Sequence, residues 1–353
     1  MRAVVVFVWV VACSSSGSNG DAGVDASSSD VAVNDSSSVE TGSDASASAF
    51  PDGTNTGYTH ASNCTALTPW DKAPIASGKT YACVDFPGGV DVGSSSAAVT
   101  GVTFVGCRFH GAAPDDKMVG LFGDDITFDY CSFEPDVTPP QTVTHAQSYQ
   151  YGLAGNGGYY THVGKLTVTH SDFWGFGNAI DVNPTTDSSK PQVYRDNWIH
   201  HAADVTNAVY HHDGIGAESG SSKGSYVTID HNTIESLGNT NAVAYQATGP
   251  YSHFTVTNNL FGGFGYSVAI LGGSTDVTFT GNTFSTRLDC TYGPLYPDDF
   301  WTKTGSVWKN NKWSVPSSAS WGTPSHDGWF WLPKAATHNG PDDSAFVSQS
   351  DNP

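Results

Sequence analysis

Apolar and polar residues alternate in short stretches along most of this chain, and the stretches share one pattern. The pattern is an apolar residue, Thr, an apolar residue, two variable residues, a small polar residue, one variable residue and a large apolar residue. Clear copies are VTFVGCRF at Val102, VTIDHNTI at Val227 and VTFTGNTF at Val277. Alternation with a period of two is typical of a strand with one buried face, so each copy predicts β-structure.

The small polar position recurs along the chain, and its later members are all Asn. It is occupied by Cys107, Cys131, Ser171, Asn197, Asn232, Asn259, Asn282 and Asn311. Recurrence at irregular intervals is typical of a solenoid with loop insertions, because each repeat is one coil that stacks on the next. An Asn repeated once per coil can hydrogen-bond the Asn of the neighbouring coil. The sequence therefore predicts an all-β solenoid of about eight coils.

Repeats such as VTIDHNTI, with an Asn at the bend between two strands, resemble the right-handed parallel β-helix of the pectate-lyase-like superfamily. The resemblance covers roughly residues 99–315, the expected β-helix domain. It implies three strands per coil and a substrate cleft on the strand that follows the repeated pattern. It also implies a polysaccharide lyase that cleaves uronic-acid-containing glycans by β-elimination. A glycoside hydrolase, a C5-epimerase and a non-catalytic carbohydrate-binding surface protein are the alternatives.

The chain outside the repeats divides into further segments. Residues 1–13 resemble a bacterial lipoprotein signal peptide, in which an apolar run ends at Cys13, the residue that the resemblance assigns to lipid. Residues 14–50 are rich in Ser and Asp and lack Lys and Arg, which predicts a disordered stalk. Caps are expected at residues 51–98 and 316–353. This organisation predicts an exported protein, either secreted or held at the outer membrane or cell surface by its lipid alone.

The chain is acidic, with 14 Lys and Arg against 34 Asp and Glu and a net charge of -20. Nucleic-acid binding needs clustered Lys and Arg, so this class of partner is excluded. The first fifty residues carry a quarter of the charge, and most of it remains on the predicted solenoid. That charge repels an acidic polysaccharide unless calcium bridges the two, or else the substrate is neutral. The protein is expected to act as a monomer.

Titratable residues concentrate in the segment before one of the expected cleft strands, which contains His200, His201, Asp204, Tyr210, His211, His212 and Asp213. His titrates near neutral pH and is the commonest general acid or base, and a nearby carboxylate can orient it. The predicted catalytic residues are Tyr210, His211, His212, Asp213 and Glu218. The structural alternative is that both histidines hydrogen-bond loop backbone while Asp213 caps a turn.

Outward side chains of the cleft strands are predicted to bind the substrate. The strands are registered on Ile180, Ile215, Val243 and Val268, which leaves open space for a sugar ring above Gly216 and Ala244. Aromatic residues are included because sugar faces stack on aromatic rings. The predicted binding residues are Asp181, Asn183, Gln246, His201, Trp174 and Tyr160.

Calcium is the expected cofactor, partly by resemblance to pectate lyases and partly because calcium prefers carboxylate and carbonyl oxygens. Its predicted ligands are Asp181, Asn183, Asp213 and Glu218. Pectate lyases also use an Arg or Lys as base, but the Arg residues of this chain beyond Arg2 fall in or just after the repeated pattern. The base of a lyase would therefore be His211 or His212. Zinc or copper bound by the histidines is the alternative.

Cysteine placement fits an oxidising compartment. Cys64 and Cys83 are predicted to form a disulfide in the N-terminal cap. Cys107 and Cys131 share one ladder position, where either a bridge or two buried thiols would fit. Cys290 has no predicted partner and is expected to be buried near the C-terminal cap.

Overall fold

The chain winds through three parallel sheets. The computed structural model describes residues 49–137, 143–155, 163–205, 210–217, 224–245, 249–271, 273–285, 288, 293–296, 300 and 303–314. Within these ranges the sheets have ten, nine and eight strands, and no helix is long and apolar enough to cross a membrane. Strands that follow one another in the chain belong to different sheets. The predicted all-β parallel solenoid is confirmed.

Several predicted features lie outside the described residues. They are the signal peptide with Cys13, nearly all of the stalk, the C-terminal cap at 316–353, and Tyr160, Glu218, Gln246 and Cys290.

The three sheets are named here by their strand numbers. The ten-stranded sheet comprises Thr68–Pro69, Val84–Pro87, Arg108–His110, Ser132–Glu134, Asp172–Trp174, Trp198–His200, Thr233–Ser236, Leu260–Gly263, Thr283–Ser285 and Lys312–Ser314. The nine-stranded sheet comprises Thr80–Ala82, Val99–Val105, Gly123–Asp129, Leu166–Thr169, Gln192–Arg195, Ser225–Asp230, Ser252–Thr257, Thr275–Thr280 and Val307–Lys309. The eight-stranded sheet comprises Val90–Val92, Ala113–Leu121, Tyr149–Gly155, Phe176–Asp181, Ile215–Gly216, Asn241–Tyr245, Tyr266–Ile270 and Gly293–Leu295. Two 3-10 turns cover Tyr58–His60 and His145–Gln147.

The predicted polar ladder runs along the bend between the nine-stranded and ten-stranded sheets. Nδ2 of Asn197, of Asn232 and of Asn259 each donates to Oδ1 of the Asn in the next coil at 2.9 Å. Asn282 continues the series to Asn311 at 3.0 Å. All these side chains are fully buried. Each amide thus finds polar partners in a place that water does not reach, so the ladder satisfies its own groups.

The residue before each ladder position takes a left-handed backbone conformation. His170, Asp196 and His231 have φ values of 48°, 58° and 53°. The same conformation recurs from coil to coil, and Asn and Gly are among the residues that use it. This conformation turns the chain sharply from one sheet into the next and directs these side chains to the surface.

Aromatic side chains stack through the interior of the solenoid. The rings of Phe86, Phe109, Phe133 and Phe173 follow one another with centroids 4.7, 4.9 and 4.2 Å apart. All four are fully buried. Each pair contributes about 0.5–1.5 kcal/mol beyond its area burial. The stack explains why the repeated pattern ends in a large apolar residue.

Cysteines fall into two groups. Cys64 and Cys83 form the predicted disulfide, with Cα atoms 5.4 Å apart. Cys107 and Cys131 are free and fully buried, so the alternative of two buried thiols holds at their ladder position. Burial raises the pKa of the Cys131 thiol, which keeps that thiol protonated and unreactive.

Candidate functional site

The corner between the ten-stranded and eight-stranded sheets holds the candidate site. Gly175 alone separates the strand Asp172–Trp174 from the strand Phe176–Asp181 there. A small cavity opens at this corner, and its walls include Trp174, Phe176, His200, Ala202, Asp213 and Ser236. The cavity has room for about one water molecule, so a larger ligand has to lie on the surface outside it.

Asp172, His200 and His201 form a chain of hydrogen bonds at the corner. Nε2 of His200 lies 2.9 Å from Oδ1 of Asp172, and Nδ1 of His200 lies 2.5 Å from Nδ1 of His201. Strand register pairs Asp172 with Trp198, two residues before His200. Side chains two residues apart share one face of a strand, which brings the carboxylate and the imidazole together.

The contacts assign the protons along this chain. A carboxylate only accepts hydrogen bonds, so the proton between Asp172 and His200 is on Nε2 of His200. In neutral His200 the other nitrogen accepts, and Nδ1 of His201 must therefore donate. This leaves a lone pair on Nε2 of His201 at the end of the chain. When that nitrogen takes up a proton, positive charge can pass to His200 beside the Asp172 carboxylate.

The two histidines differ in exposure and therefore in the chemistry that they can perform. His200 is buried at 7% exposure, whereas His201 is exposed. Partial burial of its ring, and then the neighbouring His200, lower the pKa of His201 below its ordinary value. His201 is therefore neutral at neutral pH and can accept a proton from a bound molecule.

Two tryptophans support His200. The ring of Trp198 stacks on His200 with centroids 3.4 Å apart, and the ring of Trp174 lies nearly parallel to it at 6.5 Å. Trp174 is 4% exposed and packs with Tyr210 and Ala203. A sugar ring has no access to its face because these neighbours cover it. Trp174 therefore supports the imidazole and does not offer the predicted stacking surface.

The side chain of His212 hydrogen-bonds to the backbone and lies away from solvent. The side chain is fully buried, its Nε2 donates to the carbonyl oxygen of Ala203 at 2.7 Å, and its Nδ1 accepts from the N–H of Asn239 at 3.2 Å. Burial lowers the pKa of His212. Both ring nitrogens are occupied, which favours the structural alternative over the predicted catalytic role.

The other predicted catalytic residues that the structure describes differ in their exposure to solvent. Tyr210 is 1% exposed and donates to the carbonyl oxygen of His145 at 3.4 Å. Asp213 is 2% exposed and lines the cavity, and its Oδ1 accepts from the backbone N–H of Asn241 at 2.9 Å. Their burial again favours structural roles, since neither side chain reaches solvent. His211 is exposed, and its catalytic role stays a prediction.

The predicted register of the cleft strands is confirmed, because Ile180, Ile215, Val243 and Val268 pair in succession. All four are buried, as their inward direction requires.

The expected open floor beside this row is not present. Ala244 and Ala269 are fully buried, and a Cβ on Gly216 would lie 2.4 Å from the carbonyl oxygen of Ala244. Gly216 is small because the next coil approaches it closely, and not because a sugar needs room. Asp181 and Asn183 remain partly exposed, and their role in substrate binding stays a prediction.

Comparison with known proteins identifies the family of the chain. Residues 86–284 match the family described as "Right handed beta helix region". This chain belongs to the right-handed β-helix family. The match supplies the handedness of the solenoid, as the sequence resemblance implied. No curated protein matches this β-helix protein.

Two solved structures are similar to parts of the β-helix protein. One is QnrB1, a plasmid-mediated fluoroquinolone resistance protein, with 13% identity and a TM-score of 0.34 over 65% of this chain and 92% of that chain. The other is the alginate lyase AlyF-OU02 in complex with G6, with 12% identity and a TM-score of 0.24 over 71% of this chain and 60% of that chain. Similarity this low carries no argument about the function of this chain.

Two of the predicted calcium ligands of the β-helix protein that the structure describes, Asp181 and Asp213, have opposite directions. Asp213 is buried and lies two residues before Ile215, whose side chain points into the solenoid. Asp181 follows Ile180, the strand partner of Ile215, so the side chain of Asp181 points to the outer side of the sheet. Among the residues that the structure describes, no three His, Cys, Asp or Glu are placed to hold a metal ion. Calcium binding stays a prediction, since Glu218 lies outside the described residues.

Sequence reasoning missed Asp172 and the role of His200. A signal for both was present in the ladder. Because Ser171 and Asn197 occupy the same ladder position, Asp172 must lie beside Trp198, and His200 must follow on the same face. Extending the register one residue beyond the ladder would have identified the pair.

Proposed function

We propose that this β-helix protein is a polysaccharide-active enzyme in which Nε2 of His201 takes a proton from the substrate. The hydrogen-bonded chain from Asp172 through His200 to His201 carries the proposal. It ends at His201, an exposed residue whose Nε2 keeps its lone pair at neutral pH. Asp172, at the other end, compensates the positive charge that forms, which is how a carboxylate strengthens a histidine base.

The reaction that best suits one histidine base is β-elimination in a uronic-acid-containing glycan. The base takes the C5 proton, the electron pair of that bond forms the C4=C5 double bond, and the C4–O bond breaks. The departing oxygen takes a proton from solvent water. A hydrolase instead needs two carboxyl groups across the bond, and the corner carboxylates Asp172 and Asp213 are both engaged in hydrogen bonds.

A polymer substrate suits the shape of the protein. Stacked strands repeat about every 4.8 Å, so a surface that runs along the stacked coils spans several sugar residues. The acidity of the solenoid favours a glycan of low charge density, because like charges repel.

We also propose that the enzyme is exported and anchored through lipid on Cys13. The Cys64–Cys83 disulfide supports export, because such bonds persist in oxidising compartments. Labelled palmitate should enter the wild-type protein and not the Cys13→Ala variant. Labelling of both proteins would remove the anchor from the proposal.

The glycan reaction can be tested with a panel of polysaccharides and two histidine variants. His201→Asn removes the base, and His253→Asn is the matched control, since both histidines are exposed with φ values of 50° and 54°. Asn tolerates this backbone conformation. Wild type and His253→Asn should form an unsaturated product that absorbs near 232 nm, and His201→Asn should not.

Other outcomes would contradict the lyase. Absorbance that persists in His201→Asn would remove His201 from the reaction. New reducing ends without absorbance would indicate a hydrolase, and binding without either product would indicate a carbohydrate-binding protein.

A further inference from the structure

Residues 50–60 form an N-terminal segment that crosses the outer face of the ten-stranded sheet. The ring of Phe50 stacks on His231 at 5.9 Å, and the N–H of Gly57 donates to the carbonyl oxygen of His170 at 2.9 Å. The N–H of Tyr58 donates to Oγ of Ser132 at 3.1 Å. The segment therefore contacts several successive coils around the strand that carries Asp172.

Gly57 lies directly against the side chain of Asp172, the residue that hydrogen-bonds His200. A Cβ on Gly57 would lie 2.6 Å from Oγ of Ser132 and 3.2 Å from Cβ of Asp172, and the φ of Gly57 is 81°. Ser132 pairs with Asp172 on the neighbouring strand. No other residue type fits between the segment and this pair without displacing one of them.

The same segment also reaches the aromatic support of His200. A Cβ on Gly53 would lie 3.0 Å from Cζ3 of Trp198, the residue whose ring stacks on His200. The side chain of Asp172 is 18% exposed. By lying over this face the segment keeps water away from the Asp172–His200 hydrogen bond, and a hydrogen bond is stronger where water is excluded.

We infer that Gly57 and Tyr58 are positioning residues for the histidine base, acting through Ser132 and Asp172. Tyr58 holds the Ser132 hydroxyl, and Gly57 supplies the close backbone surface that fixes the direction of the Asp172 carboxylate. Asp172 in turn sets the tautomer of His200 and so leaves the lone pair on His201. The catalytic consequence rests on the proposed function, whereas the effect on the histidine protons does not.

The test compares two glycine variants that carry the same backbone strain. Gly57→Ala places a Cβ against Ser132 and Asp172, whereas Gly88→Ala, at a φ of 84°, meets nothing within 4 Å. Imidazole nitrogen chemical shifts, followed by NMR across a pH titration, report the tautomer of His200 and the titration of His201 without any substrate. In Gly57→Ala the Nε2–H signal of His200 should be lost or displaced, and in Gly88→Ala it should match wild type.

Kinetics give the second measurement. A misplacement of this kind should lower kcat by about tenfold to a hundredfold with KM nearly unchanged, in Gly57→Ala and not in Gly88→Ala. Wild-type histidine signals in Gly57→Ala would overturn the inference, even if the enzyme is active. Altered signals in a protein without glycan activity would support the inference and contradict the proposed function.

A milder variant keeps the test decisive if Gly57→Ala does not fold. Ser132→Ala removes only the hydroxyl that accepts the Tyr58 N–H. It should displace the same histidine signals in the same direction by a smaller amount. Signals identical to wild type in Ser132→Ala would overturn the role of Tyr58.

Discussion

Two groups of histidines in this protein stand in opposite electrostatic settings. The bend histidines, His170 and His231, lie at the surface and contact carboxylates: Nδ1 of His170 is 2.9 Å from Asp129. That hydrogen bond raises the pKa of His170. The corner histidines, His200, His201 and His212, contact one another or the backbone, and burial lowers the pKa of His201 and of His212.

The difference shows how position in the coil can shift a pKa, upward for His170 at the bend and downward for His201 and His212 at the corner. A bend residue points to solvent because its backbone is left-handed, so it can meet a carboxylate and carry charge. A corner residue lies between two sheets, where desolvation disfavours the charged form. A neutral imidazole can serve as a base and a protonated one cannot, so the corner is the better place for proton transfer.

The largest expected effect comes from breaking the corner chain at its carboxylate. Asp172→Asn keeps the side-chain shape but removes the charge that compensates a protonated His200. We expect kcat/KM to fall by about 100-fold, the lower range for a histidine acid or base. Asp129→Asn breaks the matching contact of the bend histidine His170 and should leave activity unchanged.

The pH dependence of kcat/KM tests the same difference between corner and bend histidines. His201 must be neutral to act, and its pKa is lowered, so wild-type kcat/KM should decline only as pH falls below about 6.5, the ordinary histidine value. Equal activity losses in Asp172→Asn and Asp129→Asn would show that the corner has no special role. A decline that begins well above pH 6.5 would assign the limiting proton to another group.

The fold was predictable because its signal is repeated. The ladder residues and the alternation of apolar and polar residues around them predict the same structure in every coil. The register of Ile180 with Ile215 follows from that alternation. Each repeat that agrees with its neighbours adds support. In a solenoid each coil corresponds to one sequence repeat, so the stacking of the coils can be predicted from the repeats.

The candidate site was predictable only in part, because its residues depend on burial that the repeat does not encode. Segment composition predicted a cluster of titratable residues before a cleft strand, and the structure brings three of its members, His200, His201 and Asp213, to the corner. The sequence does not show that His212 faces the carbonyl of Ala203 or that Tyr210 and Trp174 cover each other. Those contacts come from the path of the loop between coils, which varies from one repeat to the next.

A smaller effect is expected when a corner histidine is removed for its structural role. His212→Gln leaves the Ala203 carbonyl and the Asn239 N–H without their partner, which should cost about 2 kcal/mol in the free energy of unfolding. The measurement is urea unfolding at pH 7, followed by intrinsic fluorescence. A loss within about 0.5 kcal/mol, the range of ordinary surface substitutions, would contradict the structural role of His212.

The pH dependence of that loss has a defined sign. The pKa of His212 is lowered in the folded state, so its contribution is complete above the unfolded value of about 6.5 and is lost as pH falls through the folded value. The difference between wild type and His212→Gln should therefore shrink as pH falls below 6.5.

The smallest expected effect concerns the bend histidine His170, and its sign is the reverse. The pKa of His170 is raised by Asp129, so its contribution is complete below the unfolded value of about 6.5 and is lost as pH rises through the folded value. The His170 side chain is 37% exposed, which limits the contribution to a few tenths of a kcal/mol. His170→Asn, which tolerates the left-handed backbone, should be less stable than wild type at pH 5.5 and equal to it near pH 9. Addition of 1 M salt should reduce the difference at pH 5.5, because exposed ion pairs are screened. A difference that grew with rising pH would give the bend histidines the same behaviour as His212, and the contrast between bend and corner would then fail.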